Sequence, residues 1–286
     1  MTEVISLASN ESPFGPLPSV AQAIARAAAR ANRYPDPGCA ELIARLASRY
    51  AVDAAQIVLG AGSAALCLQL VQTACPGGDG AVAFNWRSFE AYPLFADIAR
   101  AGQQRAPLGE NHAPDLGALA DAITPNTRLV FVCTPNNPTG VAVRDADLNA
   151  FLNATPPGVL VVLDEAYREF VDDDAPDGVE TAKRWWNRGR GNVAVLRTFS
   201  KAYGLAGLRV GYLIASAPVA DAVRGAAAPF SVNALAQAAA LASLTPDADE
   251  ELAERRRAIV HERHRVRDAL IAAHFELPPS QANFVW

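Results

Sequence analysis

Val159-Leu160-Val161-Val162-Leu163-Asp164-Glu165-Ala166-Tyr167 runs through an unbroken apolar stretch and then turns abruptly to two acids. A strand with one wet face alternates apolar and polar residues. An unbroken Val/Leu run instead fits a strand covered on both faces, as in a parallel sheet between helix layers. Working outward, Leu129–Cys133, Val193–Arg197, Gly80–Phe84, Ile57–Leu59 and Arg209–Ile214 have the same character. The helical stretches Ala64–Thr73, Phe89–Ala99 and Leu148–Ala154 fall among them. Alternation of this kind predicts an α/β protein: a three-layer αβα architecture with a mostly parallel sheet.

The flanks read differently. Residues 1–20 are rich in Ser, Pro, Asn and Gly, which predicts an extended arm, because each proline turns the preceding residue away from helix. An Ala-rich helix at about 19–31, a loop over Asn32–Gly38 and a helix at about 39–50 follow. Beyond the sheet lies a long charged helix at about 248–274. Pro278-Pro279 comes next, then an apolar piece, Asn283–Trp286, that looks like a strand cut short. The division expected is an N-terminal arm and helix over 1–31, a large domain over 32–232, and an interdomain helix with a partial, truncated small domain over 233–286. No internal repeat is present.

Composition narrows the function classes. The 286 residues are 51% hydrophobic and 19% charged, enough for a sizeable core, and the net charge of −5 leaves no basic footprint for nucleic acid. Arg255, Arg256, Arg257, Arg263, Arg265 and Arg267 are interleaved with acids and read as the wet face of the long helix. His261 and His264 read as surface residues on it, and no metal site is expected. Cys39, Cys67, Cys75 and Cys133 include no CxxC pair, Cys67 and Cys75 read as core thiols, and a reducing, cytoplasmic setting is the simplest account. The opening Met-Thr-Glu-Val-Ile-Ser lacks the basic and apolar regions of a signal peptide, and no run is long enough to span a bilayer.

Chemistry concentrates where the apolar runs end. Thr198-Phe199-Ser200-Lys201-Ala202-Tyr203-Gly204-Leu205-Ala206-Gly207-Leu208-Arg209 sets a lysine just past a buried strand, with hydroxyls before it and an arginine after it. A desolvated amine is nucleophilic, and Ser and Arg donors suit a phosphate; an exposed loop lysine fits the same letters. Asp164 ends a buried strand, where α/β proteins build sites, and an acid there suits a ring nitrogen, with Tyr167 within reach of a ring hydroxyl; a helix N-cap is the plain alternative. Thr134-Pro135-Asn136-Asn137-Pro138-Thr139-Gly140 fixes a loop that offers the Asn137 amide to a ligand, or is ordinary turn chemistry. Gly60-Ala61-Gly62-Ser63-Ala64-Ala65 presents amides at a helix start to a phosphate. It also fits the dinucleotide fingerprint, but Phe84-Asn85-Trp86 supplies no acid for a ribose. Trp86-Arg87-Ser88-Phe89-Glu90-Ala91-Tyr92 places aromatics that either stack on a flat cofactor or pack in the core.

In this order these segments, with Leu7–Glu11, Asn32–Pro35 and Ser280–Phe284, resemble the fold-type-I pyridoxal-phosphate aminotransferases over essentially the whole chain. More narrowly they resemble the histidinol-phosphate aminotransferase family, and within it the actinobacterial aromatic (phenylalanine) aminotransferase branch. The resemblance implies that Lys201 forms the Schiff base and shuttles the proton between Cα and C4′, and that Asp164 pairs with the pyridinium nitrogen. It implies Asn137 and Tyr167 at the ring oxygen, Phe89 stacked on the ring, and Ser63, Ala64, Thr198, Ser200 and Arg209 around the phosphate. Asn10 and Glu11 are implied to cover the substrate, and Tyr34 to reach the cofactor of a neighbouring subunit, hence a homodimer.

The activity implied is transamination of an aromatic L-amino acid with 2-oxoglutarate. Histidinol phosphate is the alternative substrate, although Ala64-Ala65 and Phe89 depart from the Asp-Glu and Tyr often carried by enzymes acting on it. Decarboxylation on the same fold and a weakly active or inactive remnant are further alternatives. The family's arginine for the substrate carboxylate lies past Trp286, so the resemblance implies a chain that binds cofactor yet transaminates poorly.

Overall fold

Each of the apolar runs becomes a strand, and their pairing explains why they tolerate no polar residue. The computed structural model describes residues 7–172 and 175–286. The start of the expected arm, residues 1–6, lies outside these. In chain order the elements are α1 (Pro18–Ala28), α2 (Ala40–Tyr50), β1 (Ile57–Gly60), α3 (Ser63–Ala74), β2 (Ala81–Asn85), α4 (Ala91–Ala99) and β3 (Gly102–Ala106). There follow α5 (Leu116–Asp121), β4 (Thr127–Cys133), α6 (Asp145–Ala154), β5 (Leu160–Asp164), α7 (Gly178–Trp186), β6 (Val193–Thr198), β7 (Gly211–Ile214), α8 (Ala217–Gly225), α9 (Ala234–Ala242) and α10 (Pro246–Ala272).

Among the described residues the strands form one sheet in the order β1-β7-β6-β5-β4-β2-β3. β7 pairs antiparallel with both of its neighbours and the other pairings are parallel, so β7 alone runs against the rest. Successive side chains of a strand point to opposite faces. Val161 and Leu163 accordingly enter one apolar core, with Phe151, Trp185 and Ala236, while Val162 enters another, with Leu66, Leu70 and Phe95. Both faces are covered, as the unbroken runs predicted, and the three-layer, mostly parallel architecture holds.

Four expectations are corrected. β3 was not anticipated: its Gly-Gln-Gln-Arg-Ala sequence sits at the sheet edge with Gly102 and Arg105 exposed. An edge strand with one neighbour needs no apolar run and is protected by polar side chains. The last strand begins at Gly211 rather than Arg209, which takes a left-handed conformation (φ 56°). Asn283–Trp286 is not a strand. Pro278-Pro279 withhold two amide donors, and Ser280 Oγ donates to Phe284 O at 2.6 Å, which turns the chain back on itself.

Arg263 is the fourth departure from expectation. Arg257 and Arg265 are exposed as expected, but Arg263 is buried on the inner side of α10. Its guanidinium donates to Phe170 O at 3.0 Å and Ala282 O at 2.9 Å and meets the Asp172 carboxylate at 2.9 Å. The cation is tolerated because carbonyls and a carboxylate replace water. Arg263→Ala is expected to cost about 2–3 kcal/mol in denaturant unfolding, since the carbonyls lose a charged donor. The exposed Arg265→Ala serves as the control that leaves the midpoint in place.

Candidate active site

The sheet brings distant segments to one edge. The parallel register sets Cys133 beside Asp164 and Asp164 beside Leu196, so β4, β5 and β6 end together. Thr198 faces Gly211 across the antiparallel pair, and Gly60 faces Gly211 from the other side. Loops leaving the carboxyl ends of β1, β4, β5 and β6, and the turn entering β7, therefore converge where open α/β sheets bind ligands. A cleft of about 1020 Å³ opens there. Lys201, Asp164, Tyr167, Asn137, Phe89, Ser63, Ala64, Thr198, Ser200, Arg209, Asn10 and Glu11 all line it.

One end of the cleft is built for an anion. Helix α3 starts at Ser63, and its first amides, including those of Ser63 and Ala64, have no intrahelical acceptor. Gly62 precedes it at φ 82°, and a Cβ there would lie 2.3 Å from an Arg209 guanidinium nitrogen. Only glycine lets the arginine approach this closely. Arg209 Nη1 reaches Ser200 Oγ at 3.4 Å, and Ser200 Oγ accepts from the Thr198 hydroxyl at 2.9 Å. An arginine, two hydroxyls and a helix start make a phosphate-sized donor set.

The other end holds a buried acid. Asp164 Oδ2 accepts from the Tyr92 hydroxyl at 2.8 Å, while Oδ1 is buried and, among the described residues, accepts no hydrogen bond. Burial pushes the carboxyl up to about 6, against the pull of the Tyr92 hydroxyl and the Ala166 amide. A buried carboxylate oxygen without a donor leaves room for a donor from a ligand. The neighbouring Glu165 points away, accepting from Arg197 Nε at 2.9 Å and Gly178 N at 2.8 Å, and serves the fold. Asn136 is likewise structural: it is fully buried and bonded to Ser88, Arg87 O and Thr139, whereas Asn137 lines the cleft.

Lys201 and Tyr167 line the same cleft. Lys201 Nζ donates to Ser9 O at 2.6 Å and sits 5.8 Å from the Tyr167 ring centroid. Burial lowers its pKa from the ordinary lysine value, with Glu11 opposing and Arg209 adding to the shift. The Tyr167 hydroxyl accepts from Asn10 Nδ2 at 3.1 Å, its ring packs edge-on against Phe284 at 5.2 Å, and Asn283 Nδ2 ties down Asn10 O at 3.0 Å. Arm and C-terminal segment thus close over one side.

Tyr34 is the expected site residue that this chain does not bring to the cleft. It is 85% exposed and rests on Phe230, with ring centroids 4.9 Å apart. The sequence reading missed Tyr92, Cys133 and the inner face of α10, where Ile259 joins the lining. Tyr92 stands three residues after Phe89, and its apolar surroundings in sequence gave no sign that its hydroxyl faces an acid. Among the described residues no cluster of His, Cys, Asp and Glu is suited to a metal, and no helix is long and apolar enough to cross a membrane.

A family model described as aminotransferase class I and II matches residues 2–286. An aromatic amino acid aminotransferase of Thermobifida fusca is 58% identical over 282 residues, covering 98% of this chain and 76% of that protein. A Rhodococcus jostii protein of the same name is 55% identical over 282 residues, covering 99% and 76%. Among solved structures, the histidinol-phosphate aminotransferase from Sinorhizobium meliloti in complex with pyridoxal-5'-phosphate is similar at a TM-score of 0.87 and 32% identity, covering 97% of this chain and 73% of that one. Aspartate aminotransferase from Thermus thermophilus with maleate is similar at a TM-score of 0.83 over 96% of this chain and 74% of that one; at 22% identity it speaks for the fold alone.

Proposed function

The chain belongs to the class I and II aminotransferase family, and on that premise we propose that it moves the amino group of an aromatic L-amino acid to 2-oxoglutarate, with pyridoxal phosphate as cofactor. The observation that carries the reading is the cleft's polarity: an anion cradle at one end, an unpartnered buried carboxylate oxygen at the other, and an amine in the same cleft. These are the complements of a phosphate, a protonated ring nitrogen and an aldehyde.

Bound pyridoxal phosphate supplies an electron sink for the pair left at the amino-acid Cα when its proton departs. The chain supplies the rest. Asp164 would pair with the ring nitrogen and favour its protonated form. The Lys201 amine would hold the cofactor and move the proton at Cα, a task for which its lowered pKa suits it. Tyr167 and Asn137 would bond the ring oxygen and Phe89 would pack against the ring. Ser63 and Ala64 would hold the phosphate at the helix start, together with Thr198, Ser200 and Arg209. Asn10 and Glu11 close over the substrate, which keeps water from the reacting atoms.

Aromatic selectivity is supported by the names of the similar actinobacterial proteins and by an apolar lining from Leu7, Phe14, Ile259, Phe284 and Trp286. The exposed Tyr34 is suited to reach the cofactor phosphate of a second copy, making the enzyme a homodimer. The domains run as an arm and helix over 1–31, a cofactor domain over 32–232, and a connecting helix with small-domain residues over 233–286. The free, buried cysteines are in keeping with a cytoplasmic enzyme.

Histidinol phosphate is the competing substrate, given the similarity to the Sinorhizobium meliloti enzyme. With added cofactor, kcat/KM for phenylpyruvate with glutamate is expected to exceed that for histidinol phosphate with 2-oxoglutarate by at least about tenfold, the discrimination that apolar side-chain contacts supply. The reverse ratio would reassign the substrate.

A further inference from the structure

Tyr92 lies outside the set of groups that touch the proposed ligand, yet it is tightly packed and bonded to one of them. It is fully buried near the start of α4. Its ring stacks on Phe131 with centroids 4.4 Å apart and planes 3° from parallel. Phe89 meets it edge-on at 5.5 Å and Phe84 at a tilt of 48° at 5.8 Å. A ring fixed on three sides leaves its hydroxyl one direction, and that direction ends on Asp164 Oδ2 at 2.8 Å.

We propose that Tyr92 is a positioning residue for the cofactor: by holding Asp164 Oδ2 it turns Oδ1 to the cleft and keeps the carboxylate charged against the ring nitrogen. The proposal rests on the cofactor reading above. A hydroxyl donor favours the ionised acid, because a carboxylate is the stronger acceptor. Burial pushes the Tyr92 hydroxyl well above the usual tyrosine range, so it remains a donor throughout the working pH range. The other titratable groups near Asp164 are Cys67, Cys133, Tyr167 and Glu165. Burial raises both thiols, so they stay neutral, and Glu165 is committed to Arg197. Of the groups bonding the acid's side chain, the Tyr92 hydroxyl is the one a single-atom change removes.

The test is a double-mutant cycle on the dissociation constant of pyridoxal phosphate, read by tryptophan fluorescence of the full chain. Tyr92→Phe keeps the stacked ring and is expected to weaken binding about tenfold, as for a lost bond to a charged group. In an Asp164→Asn background the same change is expected to shift binding less than about twofold, because the acceptor it acts through is no longer charged. Equal effects in both backgrounds would mean packing alone and would overturn the proposal. So would an unchanged constant in Tyr92→Phe while Asp164→Asn weakens binding. An Asp164→Asn protein that binds the cofactor as well as wild type would overturn the cofactor reading itself. The near-UV circular dichroism of cofactor-free Tyr92→Phe is expected to match wild type; its collapse would assign the hydroxyl to the fold and overturn the proposal.

Discussion

Lys201→Ala is expected to lower kcat for amino-group transfer by at least ~10³-fold, with the thermal midpoint of the protein close to wild type. The lysine has two tasks in the proposed chemistry, carrying the cofactor and moving the substrate proton, and no neighbour can take over either. Glu11 and Tyr167 line the same cleft, but the first is an acid on the arm and burial keeps the second protonated. The fold should tolerate the change, because the Lys201 amine bonds only to Ser9 O among the described residues. Single-turnover absorbance with an aromatic amino acid separates this from a binding defect. A variant that retains activity within tenfold would remove Lys201 from the mechanism.

Asp164→Asn should separate catalysis from stability. Activity is expected to fall about 10²- to 10³-fold, the scale for removing one preorganised electrostatic partner. The cofactor-free protein should instead become more stable. In the folded chain the Asp164 carboxyl is raised from 3.8 to about 6, chiefly by burial. A folded value above the unfolded one means that the stabilising contribution belongs to the protonated form. It is complete below about pH 4 and is lost as the pH rises through about 6. Asparagine carries no charge to bury, so at neutral pH the variant should gain on the order of 3 kcal/mol, and the gain should vanish near pH 4. Urea unfolding at the two pH values reads this directly, and an equal effect at both would remove the buried charge as its cause.

Much of this was legible in the sequence, for identifiable reasons. Asp164 and Lys201 stand at the ends of runs so apolar that a charged residue there has to be either functional or paired. Gly62 stands where a strand gives way to a helix, and the structure gives its small size a purpose, room for Arg209. What escaped the reading is equally physical. Gly102–Ala106 forms an edge strand and so carries no apolar run. Arg263 shares its helix with exposed arginines, and the carbonyls of Phe170 and Ala282 and the Asp172 carboxylate, all from outside that helix, distinguish its side from theirs. Tyr92 looks like a core aromatic because it is one, with a hydroxyl whose acceptor lies 72 residues away. Local pattern reports burial well, and it does not report which buried polar atoms find each other.

The chain contains just two lysines, Lys183 and Lys201, which sharpens the central test. Lys183 lies on α7, bonded to Tyr50 O at 3.2 Å and Glu180 at 2.9 Å, and is not among the residues lining the cleft. The protein is incubated with pyridoxal phosphate, reduced with borohydride, digested and mapped by mass spectrometry. One phosphopyridoxyl group per chain is expected, on the peptide carrying Lys201. A label on Lys183 with Lys201 unmodified, or no label at saturating cofactor, would contradict it.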